Sequence, residues 1–186
     1  VILEKPITTT TGEALDLMQL AEEKNVLCAS SYGYSGYPMI RQARAMVAGG
    51  ELGEIRVVQT EFAHGNCATA VEKHSEGAAW RNDPKTSGGT FVLGDVGTHA
   101  LHLATLITGQ QVHQVSADCQ SFVEGRVLED NAHVLLRFEG GAAGYLWASG
   151  VAVGHRHGLA IRVFGSKAGI EWHQERPNQL LYSPLG

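Results

Sequence analysis

Residues 84–109 read PKTSGGTFVLGDVGTHALHLATLITG, and in this stretch a glycine-rich loop leads directly into an apolar helix. We expect the helix to run from about Asp95 to Thr108, with Gly109 as the residue that follows its C-terminus. Asp95 and His99 are four positions apart, so an α-helix places them on one face with about 6 Å between their Cβ atoms. A carboxylate and an imidazole at this spacing are suited to proton transfer. The alternative is that Asp95 caps the helix and His99 is an ordinary buried histidine.

The first six residues, VILEKP, have the pattern of a buried strand that ends at a lysine. A lysine at the carboxyl end of a parallel strand points into the crevice where α/β sheets bind their ligands. Pro6 fixes its own φ angle and permits a cis peptide bond, which would re-aim Lys5. The alternative for Lys5 is a solvated side chain at a strand end.

Residues 1–30 combine this strand with a helix over residues 8–24 and a second short strand over residues 26–30. The threonine run supplies a helix cap, and an apolar stripe follows it. A strand, a helix and a strand at this spacing form half of a parallel crossover. We therefore expect residues 1–30 to be the last part of a Rossmann-like nucleotide-binding domain.

Residues 31–186 have the pattern of a second domain of the α+β class. Pro38 and the Gly49-Gly50 pair delimit a helix over residues 38–48. A strand over residues 53–62 follows, and residues 64–90 form a long loop, which is uncommon unless it is functional. Short apolar or alternating runs separated by glycine-rich turns then predict a large, mostly antiparallel open sheet, covered by helices on one face. These runs are residues 112–123, 132–138, 143–149, 159–164 and 170–173.

The composition excludes several classes of protein. With 44% hydrophobic and 18% charged residues, the chain is an ordinary globular protein. Its net charge of −5 and the lack of a basic stripe argue against a nucleic-acid partner. No apolar run is long enough to span a membrane. The three cysteines, Cys28, Cys67 and Cys119, form neither a metal-binding pair nor a disulfide framework, so we predict the cytoplasm. The sequence leaves open whether a signal peptide precedes residue 1.

Two further clusters are candidates for binding a polyhydroxylated ligand. His155 and His157 lie in the turn before a predicted strand, where they either bind hydroxyl groups or belong to a solvated turn. Trp80 and Arg81 lie in the long loop. An aromatic ring beside a guanidinium suits a sugar ring and its hydroxyls, although Trp80 is equally suited to anchor the loop.

A metal site is the weaker interpretation of the central helix. Asp95, His99 and His102 are spaced so that two imidazoles and a carboxylate could bind Zn²⁺ as in a hydrolase. The spacing is less specific than H-E-x-x-H, and no further ligand is evident. We therefore predict no metal, with His102 facing the core or a neighbouring strand.

Six segments in order resemble one protein family. They are EKP, SYGYSGYPMIRQARAMVAGGELGEI, AAWRNDP, SGGTFVLGDVGTHALHL, EDNAHVLLRFEGGAAG and LAIRVFGSKAGIEW. Together they resemble the Gfo/Idh/MocA oxidoreductases, the family of glucose-fructose oxidoreductase and inositol dehydrogenase. Members of this family have an N-terminal Rossmann domain with a G-x-G-x-x-G turn, which none of the 23 glycines forms here. We expect the chain to be a fragment without that domain, shortened at its C-terminus as well.

The resemblance implies an oxidoreductase that uses NAD or NADP and acts on a hydroxyl of a sugar, cyclitol or related polyol. It implies that His99 takes the proton, that Asp95 assists, and that the Lys5 ammonium stabilises the developing alkoxide. Cofactor contacts are expected from Glu4, Lys5, Pro6 and Tyr32, and substrate contacts from Trp80, Arg81, His155 and His157.

The alternative from a different class is a catalytically inactive substrate-side and oligomerisation fragment of such an enzyme. In either case the resemblance suggests a homodimer or homotetramer that pairs through the sheet. The predicted strands carry apolar residues on both faces, and these are too many for one helix layer to cover, so we expect an open apolar sheet face that pairs between subunits. They include Leu135, Leu136, Tyr145, Leu146, Trp147, Val151 and Val153.

Overall fold

The N-terminal strand–helix–strand unit is present in a computed structural model, which describes residues 1–186. Strand β1 (Ile2–Leu3) pairs in parallel with β2 (Ala29–Ser30), and helix α1 (Thr11–Glu23) connects them. The helix begins later than predicted because Thr10 is its N-cap. β2 is shorter than the predicted strand. The two strands form a sheet of their own, separate from the large sheet. The domain boundary after residue 30 remains a prediction.

The cap of α1 is a capping box built from its own sequence. The Thr10 hydroxyl accepts a hydrogen bond from the Glu13 N–H, and the Glu13 carboxylate accepts from the Thr9 and Thr10 N–H groups. None of the residues of α1 is buried, and its apolar side chains Leu15 and Met18 are each 59% exposed.

Helix α2 (Pro38–Ala48) has the predicted bounds, because Pro38 occupies its first turn and the chain leaves the helix at Gly49. The long loop that was predicted over residues 64–90 contains short helical turns rather than irregular chain throughout. These turns are Val71–Lys73, α3 (Glu76–Ala79), Trp80–Asn82 and α4 (Pro84–Ser87).

The central helix begins earlier than predicted and starts with a wider turn. Leu93–Gly97 is a π-helical turn, and α5 (Thr98–Thr108) continues it. Gly109 ends the helix in the left-handed region with φ 67°, as predicted for a C-terminal glycine. Single π-helical turns inside helices are frequent at functional sites.

The large sheet has seven strands, and it confirms the mostly antiparallel α+β fold. The order across the sheet is β4 (Val112–Gln120), β5 (Asn131–Phe138), β6 (Ala143–Ser149), β3 (Ile55–Ala63), β7 (Leu159–Gly165), β8 (Ala168–His173) and β9 (Leu180–Pro184). Strand β3 is parallel to β6 and antiparallel to β7, so it is inserted into the middle of the sheet. The last strand, β9, was not predicted.

One face of this sheet packs against α2 and α5 and forms the core. Alternation along β5 and β6 points Leu136 and Leu146 into it, with exposed fractions of 1% and 3%. The helix layer therefore covers these two side chains, and they are not part of an exposed apolar face. Val151 and Val153 lie beyond the end of β6 and are not part of the sheet.

The outer face of the sheet is mixed in character. It keeps some apolar side chains, among them Leu135 with 58% exposed, beside charged groups such as Arg137 and Glu171. No helix of the structure combines the length and apolar character that crossing a membrane requires.

Candidate active site

Lys5 and Asp95 form the centre of the site. The Lys5 ammonium lies 2.7 Å from Asp95 Oδ1 and also donates a hydrogen bond to the Asp95 main-chain carbonyl. The two side chains are 15% and 33% exposed, so the pair remains open to a ligand. Lys5 follows the end of β1, and the Lys5–Pro6 peptide bond is cis. Asp95 lies in the π-helical turn, so the predicted strand-end lysine meets the predicted helix carboxylate.

His99 lies four residues further along the same helix and is nearly buried, with 9% exposed. Burial, together with the positive charge of Lys5, lowers its pKa to about 4, although the nearby Asp95 carboxylate acts in the opposite direction. The imidazole is therefore neutral at neutral pH. Its Nδ1 is buried without a hydrogen-bond partner. A neutral imidazole beside a cation is able to accept a proton from a bound hydroxyl.

Aromatic side chains surround the imidazole of His99. The ring of Tyr34 meets it edge-on at 4.7 Å between centroids, and the rings of Tyr32 and Phe62 follow at 5.6 and 6.0 Å. The Tyr34 hydroxyl lies 2.7 Å from Nε2 of His157, which brings His157 to the same group. Burial raises the pKa of Tyr34, so its hydroxyl keeps its proton at neutral pH. The predicted cofactor contacts include Tyr32 but not Tyr34, although Tyr34 follows Tyr32 by only two positions in the sequence.

His102 belongs to a different environment from His99. Its ring stacks on Tyr32 with 4.3 Å between centroids and an interplanar angle of 16°. Burial lowers the pKa of His102. The structure contains no group of three His, Cys, Asp or Glu side chains arranged to hold a metal ion.

A cavity of about 490 Å³ opens beside the Lys5–Asp95 pair. Trp80 and Arg81 reach it from the long loop, and the Arg81 guanidinium lies over the Trp80 ring at 4.8 Å. Arg81 Nε is 3.7 Å from Asp95 Oδ2, so a second cation faces the carboxylate. The structure thus brings Lys5, Asp95, Trp80 and Arg81 to one polar cavity.

The residues assigned to the cofactor follow the carboxyl ends of the two parallel strands. Glu4 and Pro6 line the same cavity. The Glu4 carboxylate accepts a hydrogen bond of 2.8 Å from the Ser31 hydroxyl, which ties the end of β1 to the end of β2. Tyr32 follows Ser31 and presents its ring to His99. This edge of a parallel sheet is where a dinucleotide binds in α/β folds, so the arrangement fits a nicotinamide cofactor.

The structure does not place His155 with the other predicted residues. Its ring packs edge-on against Trp147, 5.8 Å between centroids, at the outer face of the sheet. There it lines a separate polar cavity with Glu61 and Arg162. The physical reason is the alternation of β6, which points Trp147 away from the core and gives the His155 ring an aromatic surface to cover.

Sequence reasoning missed Glu129, whose carboxylate accepts hydrogen bonds from the Phe91 and Leu93 N–H groups, at 2.9 and 3.0 Å. These groups lie where the helix of Asp95 and His99 begins. The acidic pair Glu129-Asp130 is visible in the sequence, but nothing local connects it with a helix start nearly forty residues earlier.

Comparison with known proteins supports these observations. The profile of the GFO/IDH/MocA C-terminal domain matches residues 40–171. The chain is 44% identical to an uncharacterized oxidoreductase, YfiI, of Bacillus subtilis, over 100% of this chain and 48% of that protein. A second curated relative is a levoglucosan dehydrogenase of Pseudarthrobacter phenanthrenivorans, 22% identical over 97% of this chain and 50% of that protein. The chain therefore spans about half the length of the curated relatives it matches.

Two solved structures from Azotobacter vinelandii superpose along the whole chain. One is an inositol dehydrogenase homolog complexed with NAD⁺, with a TM-score of 0.97 and 46% identity, covering 100% of this chain and 48% of that one. The other is an inositol dehydrogenase homolog complexed with NADH and myo-inositol, with a TM-score of 0.90 and 44% identity, covering 100% and 47%.

Proposed function

The chain belongs to the GFO/IDH/MocA family, and from that premise we propose that the whole protein is a dehydrogenase or reductase that uses NAD or NADP and acts on a sugar, cyclitol or related polyol. One observation carries the proposal. The Lys5–Asp95 pair stands at the carboxyl edge of a parallel strand pair, beside a histidine that burial keeps neutral. The relatives include an inositol dehydrogenase homolog complexed with NADH and myo-inositol, and a levoglucosan dehydrogenase.

Lys5, His99 and Asp95 each have a separate role in the reaction of the substrate hydroxyl. The Lys5 ammonium donates a hydrogen bond to the hydroxyl oxygen and stabilises the negative charge that develops there. His99 accepts the proton from that oxygen in the oxidation and returns it in the reduction. The Asp95 carboxylate holds Lys5 in place. It also raises the pKa of His99, so it favours the protonated imidazole that forms when His99 accepts the proton.

Glu4, Lys5, Pro6 and Tyr32 are the residues that we propose to contact the cofactor. When bound, the nicotinamide supplies the hydride acceptor or donor that no side chain provides. The flat ring of Tyr32 and the polar edge formed by Glu4 and Ser31 are suited to a nicotinamide and its carboxamide.

We propose that Trp80, Arg81 and His157 bind the substrate. The Trp80 ring offers an apolar surface to the C–H face of a sugar, and Arg81 and His157 offer donors to its hydroxyls. His155 is left out of this group, since it faces the outer side of the sheet.

The protein is proposed to work as a homodimer or homotetramer that pairs through the outer sheet face. That face carries exposed apolar side chains that no element of this chain covers. They are Val57, Leu135, Phe164 and Leu181. We retain the cytoplasm as the predicted compartment; all three cysteines are free thiols.

The proposed function is tested by measuring the reduction of NAD⁺ and of NADP⁺ by the whole protein. The substrates are a panel of inositols, aldoses and anhydrosugars. We expect NADH or NADPH to form with at least one polyol, and His99→Asn to lower kcat by about 100-fold or more. His113→Asn, at an exposed position on β4, should leave kcat unchanged. Absence of turnover across the panel, or full activity of His99→Asn, would contradict the proposal.

A further inference from the structure

Glu129 binds the start of the helix that carries Asp95 and His99. Its carboxylate Oε1 accepts from the main-chain N–H groups of Phe91 and Leu93, at 2.9 and 3.0 Å. Its own main-chain carbonyl accepts from the N–H of Val92, at 3.4 Å. Three consecutive N–H groups at a helix start are thus satisfied by a single residue from another part of the chain.

This contact replaces the local cap that the helix lacks. The first N–H groups of a helix have no partner inside it, and an N-cap side chain normally supplies one. Here no local side chain caps the π-helical turn. A carboxylate at this end also interacts favourably with the helix dipole. Asp95 follows Leu93 by two residues, so whatever fixes Leu93 fixes the turn from which Asp95 reaches Lys5.

The loop that presents Glu129 is itself held rigidly by a buried ion network. Arg126, whose side chain is fully buried, lies 3.0 Å from Asp130 Oδ2 and 2.9 Å from Glu72 Oε2. The Asp130 carboxylate also accepts the N–H groups of Phe122 and Val123. The backbone on both sides of Glu129 is therefore anchored, so its carboxylate cannot follow the helix if the helix moves.

Arg126 extends the same network to the loop of Trp80 and Arg81. Its guanidinium donates to the main-chain carbonyls of Cys67 and Thr69, at 2.9 and 3.0 Å. The hairpin between β4 and β5 thus contacts both the helix start and the beginning of the long loop, the two segments that bring side chains to the Lys5 cavity.

We propose that Glu129 is a positioning residue of the active site, which holds the first turn of the Asp95–His99 helix in the register that pairs Asp95 with Lys5. Glu129 contacts neither Lys5 nor His99, and it acts through the main chain of residues 91–93. Its effect on turnover rests on the proposed function, whereas its effect on the geometry does not.

The test measures geometry on this chain without any assay of activity. Glu129→Ala removes the acceptor, Glu129→Gln keeps an oxygen in place, and Glu129→Asp keeps the charge but shortens the reach. Glu124→Gln is the matched control, because Glu124 is an exposed carboxyl in the same hairpin. Two readouts are followed by NMR: amide hydrogen exchange at Phe91, Val92 and Leu93, and the pKa of His99.

We expect Glu129→Ala to accelerate exchange at these amides by about fivefold or more, since losing a helix cap costs ~1 kcal/mol or more. We also expect the pKa of His99 to rise from about 4 towards its ordinary value as the loosened turn admits water. Glu129→Gln should stay within about threefold of wild-type exchange because it keeps an acceptor. If Glu129→Ala does not fold, Glu129→Asp should show the same changes.

The inference is overturned if Glu129→Ala or Glu129→Asp leaves both readouts unchanged, or if Glu124→Gln changes them equally. In the whole protein Glu129→Ala should lower kcat while KM for substrate changes little, and Glu129→Gln should restore most of kcat. If the exchange and the pKa respond and no turnover is found in the wild type, the proposed function fails and the positioning role stands.

Discussion

Lys5 and Asp95 are 90 positions apart in the chain, yet their side chains meet at 2.7 Å. The contact joins the end of the first strand to the first turn of the central helix. Residues 1–30 and the segment that carries the central helix therefore both contribute to the proposed reactive group, and neither segment contains it alone. A substitution that weakens the packing of β1 against the central helix should therefore reduce activity, even where it alters no reacting residue.

The neutral state of His99 should make stability fall in mildly acidic solution. The unfolded imidazole takes up a proton near pH ~6.5, whereas the folded one does so only at about 4. The unfolded state thus binds more protons in this window, and the free energy of unfolding decreases as the pH falls through it. His99 contributes about 3 kcal/mol at most to this loss.

Urea unfolding of the wild-type chain and of His99→Gln across this pH range measures how the free energy of unfolding depends on pH. The variant should show a shallower loss of stability between the two pKa values, with some loss remaining because burial also lowers the pKa values of His64 and His102. His113→Gln, on the exposed surface, should keep the wild-type slope. An unchanged slope in His99→Gln would show that the imidazole titrates normally in the fold.

Removal of Arg126 should destabilise the fold strongly. Its guanidinium is fully buried between Glu72 and Asp130, and the Asp130 side chain is also fully buried. Arg126→Met leaves these carboxylates without their cation, which costs about 3–5 kcal/mol for a buried pair. Urea unfolding should show a loss in this range, while Arg44→Met, on the exposed side of α2, stays within about 0.5 kcal/mol of wild type. A loss below about 1 kcal/mol would mean that the ion network contributes little to the free energy of unfolding.

The parts of the site that sequence could predict are those with local signals. Pro38 and the Gly49-Gly50 pair delimit a helix, because proline restricts the backbone in the first turn and Gly50 adopts a φ of 74° after the last one. The strand-end lysine and the Asp95–His99 spacing indicated three candidate residues, of which Lys5 and Asp95 are in contact. Both rest on periodicity and turn chemistry, which neighbouring residues determine.

The parts that sequence could not predict depend on contacts between distant residues. The π-helical turn at Leu93–Gly97 has no local signature in the apolar pattern. Insertion of β3 between β6 and β7 follows from packing of the whole sheet. Strand β4 ends at Gln120 because Asp130 takes the main-chain N–H groups of residues 122 and 123, so the predicted strand was too long.

The outer sheet face should mediate self-association. Leu135 is exposed on this face, on the strand next to the β4 edge, and Leu135→Glu replaces its apolar side chain with a charged one. Sedimentation velocity of the chain should show a dimer or larger species that dissociates more readily in the variant. Leu101→Glu, on the exposed side of α5, is the control and should associate like the wild type. A monomeric wild type at high micromolar concentration would refute association through this face.

This chain by itself should bind NADH no more tightly than in the millimolar range. It contains no G-x-G-x-x-G turn, and the N-terminus of α1 is already occupied by the carboxylate of Glu13, which accepts from Thr9 and Thr10. A pyrophosphate would therefore meet a negative group there instead of free N–H donors. Isothermal titration calorimetry of the 186-residue chain tests this. A micromolar dissociation constant would show that these residues hold the dinucleotide without a glycine turn.

The most direct measurement of the proposed chemistry is kcat of Lys5→Met in the whole protein, at saturating cofactor and substrate. Lys24→Met is the matched control, because Lys24 is exposed at the end of α1, away from the cavity. The urea midpoint of each variant is determined first, so that only folded enzyme is compared. We expect Lys5→Met to lower kcat by roughly 100- to 1000-fold, as loss of a group that stabilises a developing oxyanion does, while Lys24→Met remains fully active. A Lys5→Met enzyme that is folded and keeps kcat within about threefold of wild type would show that the ammonium does not stabilise the alkoxide.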